Sequence, residues 1–219
     1  MGEEKWLDVG TTAIPRLTLE RCLGSFLDCI DPCGHKLRWI VHLDQYPEPG
    51  LEQYWQDTLN QALRLAPRFD SAVLMASTTN QSWGVSLQRI MEQVRHDLLW
   101  IEDDYVWDSH WRVDDMLEAA VDGYNFSRKK VKFGATSPTF WKRHTVDYLL
   151  AHLPQPIERA SENAIKRILS HRRRNGAHFH VQQHYAHNMA RECCHHIGRS
   201  ELLKLGFTHN FWGVPLAEE

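Results

Sequence analysis

Short apolar runs alternate with amphipathic helical segments along the first hundred residues, and this alternation restricts the fold more than any other feature of the chain. The runs KLRWIVHLD, SAVLMAS and DLLWI have the length and composition of buried strands. Between them, apolar residues recur at the three- and four-residue spacing of a helix, in stripes that begin at Leu19, Leu51 and Leu87. This order predicts a mostly parallel sheet flanked by helices, and therefore an α/β fold.

The second half of the chain is less regular. Helical stripes begin at Met116, Val146 and Ile165, and the segments VKFGATSP and AHFHVQQH predict strands. No internal repeat, low-complexity stretch or linker interrupts the sequence. The 219 residues are therefore expected to form one domain.

Composition excludes several classes of protein. Hydrophobic residues make up 42% of the chain and aromatic residues 11%, which excludes a disordered chain. The net charge of −3 gives no general reason to expect a nucleic-acid partner. The N-terminus lacks a signal-peptide pattern, and no apolar run approaches the roughly 20 residues that a membrane span needs. Five cysteines without a disulfide-framework spacing are typical of a reducing compartment, so a cytoplasmic location is expected.

Three consecutive carboxylates, Glu102, Asp103 and Asp104, follow the apolar run LLWI and precede the aromatic segment YVW. Because adjacent carboxylates repel and are costly to desolvate, such a strand end is expected either in a solvated turn or beside a cation. The apolar flanks favour the cation. Mg²⁺ and Mn²⁺ take oxygen ligands and complete their shell with substrate phosphates. Ligands of parallel sheets bind beyond the carboxyl ends of the strands, where Asp44 also falls, so a metal ion facing a nucleotide diphosphate is predicted.

Four segments carry a resemblance to a known family. TTAIPRLTLERCLGSFLDC, RWIVHLD, NQSWGVSLQRIMEQV and LLWIEDDYVW occur in this order. They resemble the opening strand and helix, the second strand, the helix before the metal motif, and the strand ending in the Asp-x-Asp metal signature of GT-A-fold nucleotide-sugar glycosyltransferases, the broad class that contains the family-2-type inverting enzymes. The resemblance implies a single GT-A-like (Rossmann-like) domain, in which residues 1–107 bind the nucleotide-sugar and residues 108–219 bind the acceptor.

The resemblance also implies roles for individual residues. Asp104 would be the direct ligand of Mn²⁺ or Mg²⁺, and Glu102 stands where a strict Asp-x-Asp signature has its first aspartate. Asp44 would contact the base or ribose, and a further ribose contact would fall to Glu102 or Asp103. The positions assigned to the nucleotide-sugar are Pro15, Arg16, Asp44, Glu102 and Asp103.

The segment PIERASENAIKRILSHRRRNG resembles the acidic helix start where inverting members of the class keep their catalytic base. An inverting transfer needs a base that takes the proton from the attacking acceptor hydroxyl. Glu162 is the predicted base and Glu158 its reserve, whereas the aspartate of the family is replaced by Asn163. Helix capping is the alternative role for a carboxylate at this place.

Histidines crowd the segment that follows. In many GT-A enzymes a histidine beyond the acidic helix completes the metal shell, and this resemblance assigns that role to His187 or His184, with His209 as a later alternative. Ordinary surface or core histidines remain the alternative for each of them. A zinc site in CCHH, residues 193–196, is disfavoured because four consecutive residues cannot easily converge on one tetrahedral ion.

The acceptor site is assigned from aromatic residues. Trp141 or Phe140 in SPTFWKR could stack on a sugar face or on a base, with a core aromatic as the alternative. A glycan, a small molecule or a modified nucleic acid could each supply the acceptor. The predicted activity is a metal-dependent, inverting glycosyl transfer from a nucleotide-sugar donor. The alternatives are a nucleotidyltransferase and a non-catalytic nucleotide- or sugar-binding module of the same fold.

Overall fold

The structure is a computed structural model that describes residues 4–45, 54–118, 124–125, 138–161, 164–165, 167–168, 194–197 and 203–204. The strands are β1 (Trp6–Ala13), β2 (Ile30–Asp31), β3 (Lys36–Leu43), β4 (Ser71–Ala76), β5 (Leu98–Trp100), β6 (Tyr105–Trp107), β7 (Trp111–Arg112), β8 (Tyr124–Asn125), β9 (Thr139–Trp141) and β10 (Cys194–His196). The helices are α1 (Leu19–Cys29), α2 (Trp55–Leu65), α3 (Trp83–Gln93), α4 (Val113–Glu118) and α5 (Arg143–His152), with single 3₁₀ turns at Ala66–Arg68 and Ile157–Arg159.

A six-stranded sheet in the order β4-β3-β1-β5-β9-β8 forms the centre of the fold. Strands β4, β3, β1 and β5 are parallel, β9 runs antiparallel to β5, and β8 runs antiparallel to β9. Five of the six strands therefore point in one direction. The predicted α/β fold with a mostly parallel sheet is confirmed.

Helices cover both faces of this sheet. Because side chains alternate along a strand, β3 sends Trp39, Val41 and Leu43 to one face and Ile40 and His42 to the other. The first face packs on α1 and α2, and the second on α3 and α5. A stripe of buried residues explains why α1 docks there: Leu19, Cys22, Leu23 and Phe26.

Two glycines allow close packing around α3. A Cβ atom on Gly10 of β1 would lie 2.9 Å from Ile90 Cγ2, and one on Gly84 would lie 2.3 Å from Ile157 O. The second contact is with rigid backbone. Helix α3 can therefore approach both the sheet and the turn at Ile157–Arg159 only because these positions lack side chains.

Most helices and strands predicted for the first half of the chain are confirmed, and the structure differs from the prediction in the second half. Helix α2 ends before Pro67, as the stripe from Leu51 indicated, and β5 ends at Trp100 before the acidic residues. The strand predicted for VKFGATSP is followed in the chain by Thr139–Trp141, which form β9. AHFHVQQH and all of VKFGATSP except Pro138 lie outside the described residues. Within the part of the chain that is described, no helix is long and apolar enough to cross a membrane.

Candidate functional site

The carboxyl ends of three neighbouring parallel strands meet at one edge of the sheet. Residues 14–18 follow β1, Asp44 follows β3, and Glu102–Asp104 follow β5. Backbone hydrogen bonds hold these segments side by side: Asp44 N–H donates to Ala13 O at 2.8 Å, and Ile101 N–H to Gly10 O at 2.8 Å. The positions assigned to the nucleotide-sugar thus lie along one edge, which is where ligands of such sheets bind.

Asp103 clamps the loop between β1 and α1. Its side chain is 0% exposed, and Oδ2 accepts the N–H of Ile14 at 3.1 Å. Oδ1 accepts Arg16 Nε–H at 3.0 Å and forms an ion pair with a second guanidinium nitrogen. Leu17, the next residue, has a φ of +57°, an unfavourable conformation for leucine that the surrounding contacts must maintain. The buried carboxylate therefore fixes the loop that leads into the edge.

Arg16 also approaches the neighbouring carboxylate. Its Nη1 lies 3.6 Å from Asp104 Oδ2, and the side chains of Arg16 and Asp104 are 12% and 11% exposed. Burial alone would lower the pKa of Arg16, but the charges of Asp103 and Asp104 outweigh it and raise the pKa above its ordinary value. Burial raises the pKa of Asp103, although Arg16 acts in the opposite direction. A charged guanidinium thus lies between the two carboxylates.

Glu102 turns towards a different element. Its Oε1 accepts the indole N–H of Trp83 at 3.2 Å, and the Trp83 ring meets Trp100 edge-on at 6.4 Å between centroids. Trp83 begins α3, so Glu102 is oriented by that helix whereas Asp103 is oriented by the β1–α1 loop. Asp104 remains at the edge between these two supports. The three carboxylates therefore have three different environments.

Asp44 is 4% exposed and anchors the segment before α3. Gln81 N–H lies 2.9 Å from Oδ1 and 3.2 Å from Oδ2, and Ser86 Oγ lies 3.4 Å from Oδ2. Burial raises the pKa of Asp44, although these hydrogen bonds act in the opposite direction. The contact of Asp44 with a base or ribose stays a prediction.

The structure corrects the assignment of Trp141. Its ring is 1% exposed and stacks on Trp100 at 6.0 Å between centroids, inside the core on the α3 and α5 face. Phe140 is completely buried on the opposite face. Because β9 pairs with β5 inside the sheet, neither ring presents a face to an acceptor sugar. The core interpretation of this aromatic segment is the correct one.

Ser161, which precedes the predicted base in the sequence, caps a helix start. Ser161 Oγ accepts the N–H of Ala164 at 3.3 Å, and Ser161 O accepts the N–H of Ile165 at 3.0 Å, which is the pattern of an N-cap residue. The reserve base Glu158 is exposed on the 3₁₀ turn. Glu162 itself and the histidines at 184, 187 and 209 lie outside the described residues, so their roles stay predictions.

Among the residues that the structure describes, no three His, Cys, Asp or Glu side chains form a cluster that could hold a metal ion.

The sequence did not predict two residues that support the edge: Trp83, which donates to Glu102, and Ser86, whose hydroxyl contacts Asp44. One signal was visible: His42 interrupts the apolar run RWIVHLD, and a polar residue inside a buried strand requires buried partners.

Comparison with known proteins identifies the class of fold. Neither a protein-family model nor a curated protein matches the chain. The structure is similar to that of S. aureus TarS, with a TM-score of 0.52 and 10% identity over 73% of this chain and 32% of TarS. It is also similar to S. aureus TarS 1-349 in complex with UDP, with a TM-score of 0.52 and 9% identity over 75% of this chain and 54% of that one. The chain thus spans between about a third and about half of the solved structures that it matches.

TarS is a glycosyltransferase, and the fold that this chain shares with it is GT-A-like. At 9% to 10% identity the likeness concerns the fold alone. The predicted GT-A-like fold is therefore confirmed, whereas activity has to be argued from the site.

Proposed function

We propose that the protein is a metal-dependent glycosyltransferase that moves a sugar from a nucleotide-sugar donor to an acceptor hydroxyl with inversion. The observation that carries this proposal is the edge described above, where Arg16, Asp44 and Asp104 follow the carboxyl ends of three neighbouring parallel strands in a GT-A-like fold. The bound UDP named for a structure with this fold supports a uridine diphosphate donor as the first candidate.

In this proposal, carboxylates at this edge would hold Mn²⁺ or Mg²⁺. Asp104 offers hard carboxylate oxygens at a position where its side chain is 11% exposed, and Glu102 lies two residues away. A cation that also binds diphosphate oxygens and water needs only a small number of protein ligands. We assign Asp104 as the direct ligand, with His187 or His184 as the further ligand that the family resemblance implies. When bound, the ion would neutralise negative charge on the leaving diphosphate.

Arg16 and Asp44 bind the two ends of the nucleotide in this proposal. The Arg16 guanidinium is charged and oriented by Asp103, so its Nη1, near Asp104, can donate to a diphosphate oxygen. Asp44 accepts a hydrogen bond from the base or ribose. Pro15, which is buried between Ile14 and Arg16, restricts the loop that carries the guanidinium.

Glu162 is the proposed general base. It would take the proton from the acceptor hydroxyl as the oxygen attacks the anomeric carbon. Ser161 already caps the helix start, which weakens the alternative that a carboxylate is needed there only as a cap.

Calorimetry with UDP, GDP, ADP and CDP, each with and without Mn²⁺, tests the donor class. Binding that Mn²⁺ strengthens is the expected result, followed by transfer from the corresponding nucleotide-sugar to a panel of hydroxyl acceptors. A protein that binds donor but never transfers or hydrolyses the sugar would instead be a binding module. Absence of binding to all four nucleotides contradicts the proposal.

A further inference from the structure

A buried polar network lies directly behind Asp44, on the face of the sheet that packs against α3. His42 is 0% exposed, yet both of its ring nitrogens have polar neighbours. Nδ1 lies 2.8 Å from Ser86 Oγ, and Nε2 lies 3.0 Å from Ser77 Oγ and 3.1 Å from an Arg89 guanidinium nitrogen. Ser86 in turn contacts Asp44, so the network joins Arg89 to that carboxylate.

Chemistry fixes the direction of these hydrogen bonds. A guanidinium can only donate, so Nε2 of His42 must be the acceptor and Nδ1 must carry the proton. The Nδ1–H group then donates to Ser86 Oγ. The hydroxyl hydrogen of Ser86 is left for Asp44 Oδ2 at 3.4 Å or for Ser82 O at 3.1 Å. When the hydroxyl points to Asp44, the hydrogen bonds form a directed chain from the Arg89 cation through His42 and Ser86 to the carboxylate.

One further group holds the same carboxylate, and the described donors leave it an acceptor position. The backbone N–H of Gln81 lies 2.9 Å from Oδ1 and 3.2 Å from Oδ2 of Asp44, and Ser86 Oγ lies 3.4 Å from Oδ2. An ionised carboxylate has about four lone-pair sites, and the donors among the described residues make three contacts with it, so one site can accept a further donor. The N–H of a nucleotide base or the O–H of a ribose would fill that position.

The backbone next to the network is strained. Ser82 has a φ of +77°, which is unfavourable for a residue with a side chain, and it lies directly before α3. Gln81 N–H on Asp44 and Ser86 N–H on Ser82 O, at 3.1 Å, keep it there. Strain that is maintained by a buried network is typical of sites where geometry matters for function.

We infer that His42, Ser86 and Arg89 are positioning residues of the donor site, which orient Asp44 for a hydrogen bond to the nucleoside of the donor. The inference rests on the proposed function, because it concerns the same donor. Burial, with the charge of Arg89 adding to it, lowers the pKa of His42 to about 4, which keeps the ring neutral and its Nε2 available as an acceptor at neutral pH.

Three variants test the chain of hydrogen bonds. Ser86→Ala removes the link to Asp44. His42→Leu removes both ring nitrogens, whereas His42→Asn keeps an N–H at the position of Nδ1 and should restore donation to Ser86. With UDP and Mn²⁺, Ser86→Ala and His42→Leu should weaken binding about tenfold, and His42→Asn should recover most of that loss. In the transfer assay the KM for the donor should rise while kcat changes little.

Thr11→Val is the matched control. Thr11 Oγ1 accepts the indole N–H of Trp39 at 3.0 Å, on the opposite face of the same sheet. The variant removes a buried hydroxyl and should lower thermal stability without changing the affinity for UDP. If His42→Leu does not fold, the UDP affinities of Ser86→Ala and Thr11→Val are compared instead, and this comparison tests the positioning role.

The outcomes separate the two proposals. UDP affinity in Ser86→Ala equal to that of the wild type, or weakened equally in Thr11→Val, overturns the positioning role and leaves the proposed function intact. A wild-type protein that binds none of UDP, GDP, ADP and CDP overturns the proposed function, and the positioning role with it.

Discussion

Arg16 Nη1 lies 3.6 Å from Asp104 Oδ2 while the same guanidinium is paired with the fully buried carboxylate of Asp103. The two aspartates, although adjacent, therefore have different functions. Asp103 holds the arginine and the β1–α1 loop, whereas Asp104 shares the arginine at the edge of the sheet. A diphosphate or a cation arriving at this edge would meet Arg16 and Asp104 together.

Replacing Asp103 should destabilise the fold. Asp103→Asn leaves the Arg16 charge buried beside a neutral amide, and breaking one partner of a buried pair typically costs about 3 kcal/mol. Asp28→Asn is the control, because Asp28 pairs with Arg68 on the surface, where the two side chains are 69% and 43% exposed. That change should cost less than about 1 kcal/mol. Urea denaturation measures the free energy of unfolding of both variants. Equal losses would contradict the role of Asp103 in holding Arg16 and the β1–α1 loop.

Replacing Asp104 should instead abolish the effect of Mn²⁺ on UDP binding. Asp104→Ala removes the proposed ligand, but Arg16 keeps its ion pair with Asp103, so the fold should survive and the Mn²⁺-dependent part of UDP binding should be lost. Asp108→Ala, which removes an exposed carboxylate just beyond β6, should keep that dependence. Calorimetry that finds the same Mn²⁺ effect in Asp104→Ala as in the wild type would exclude Asp104 as the ligand.

The stability of the protein should depend on the protonation of His42. Its pKa is lowered from the ordinary 6.5 to about 4 in the folded protein, so the unfolded chain binds the proton more readily. The stabilising contribution is therefore complete above pH 6.5 and is lost as the pH falls from about 6.5 to about 4. The shift corresponds to a loss of about 3 kcal/mol at most.

Comparison with a variant isolates this effect from the other titrating groups. His42→Asn cannot bind the proton, so its free energy of unfolding should fall less steeply than that of the wild type between pH 6.5 and pH 4.5. Urea denaturation at several pH values gives both curves. Parallel curves would show that His42 does not titrate in this range.

The sequence was sufficient to predict the sheet and the place of the acidic residues, because both depend on local patterns. LLWI is a short apolar run, and carboxylates that follow such a run must lie at the end of a strand. Which carboxylate is buried was not predictable. Asp103 is covered because Ile14 and Arg16 return from a loop almost ninety residues earlier in the chain, and no local pattern records that approach.

The burial of Trp141 in the core also depends on contacts between residues that are distant in the sequence. A strand of three residues, Thr139–Trp141, is too short to show a period, so the sequence left both a stacking role and a core role open. Pairing with β5 places the ring on Trp100. The network around His42 was equally hidden, since Ser77, Ser86 and Arg89 come from two later elements.

The general base is the last assignment that can be tested by substitution. Glu162→Gln preserves size but cannot accept a proton from the acceptor. Because Ser161 caps the helix start, the change should alter stability by less than about 1 kcal/mol. Donor binding should therefore survive, while transfer falls by about 10²- to 10⁴-fold. Glu158→Gln, on the exposed 3₁₀ turn, is the matched control and should transfer at the wild-type rate. Full activity in Glu162→Gln with loss of activity in Glu158→Gln would show that Glu158 is the base. Full activity in both variants would show that neither residue is the base.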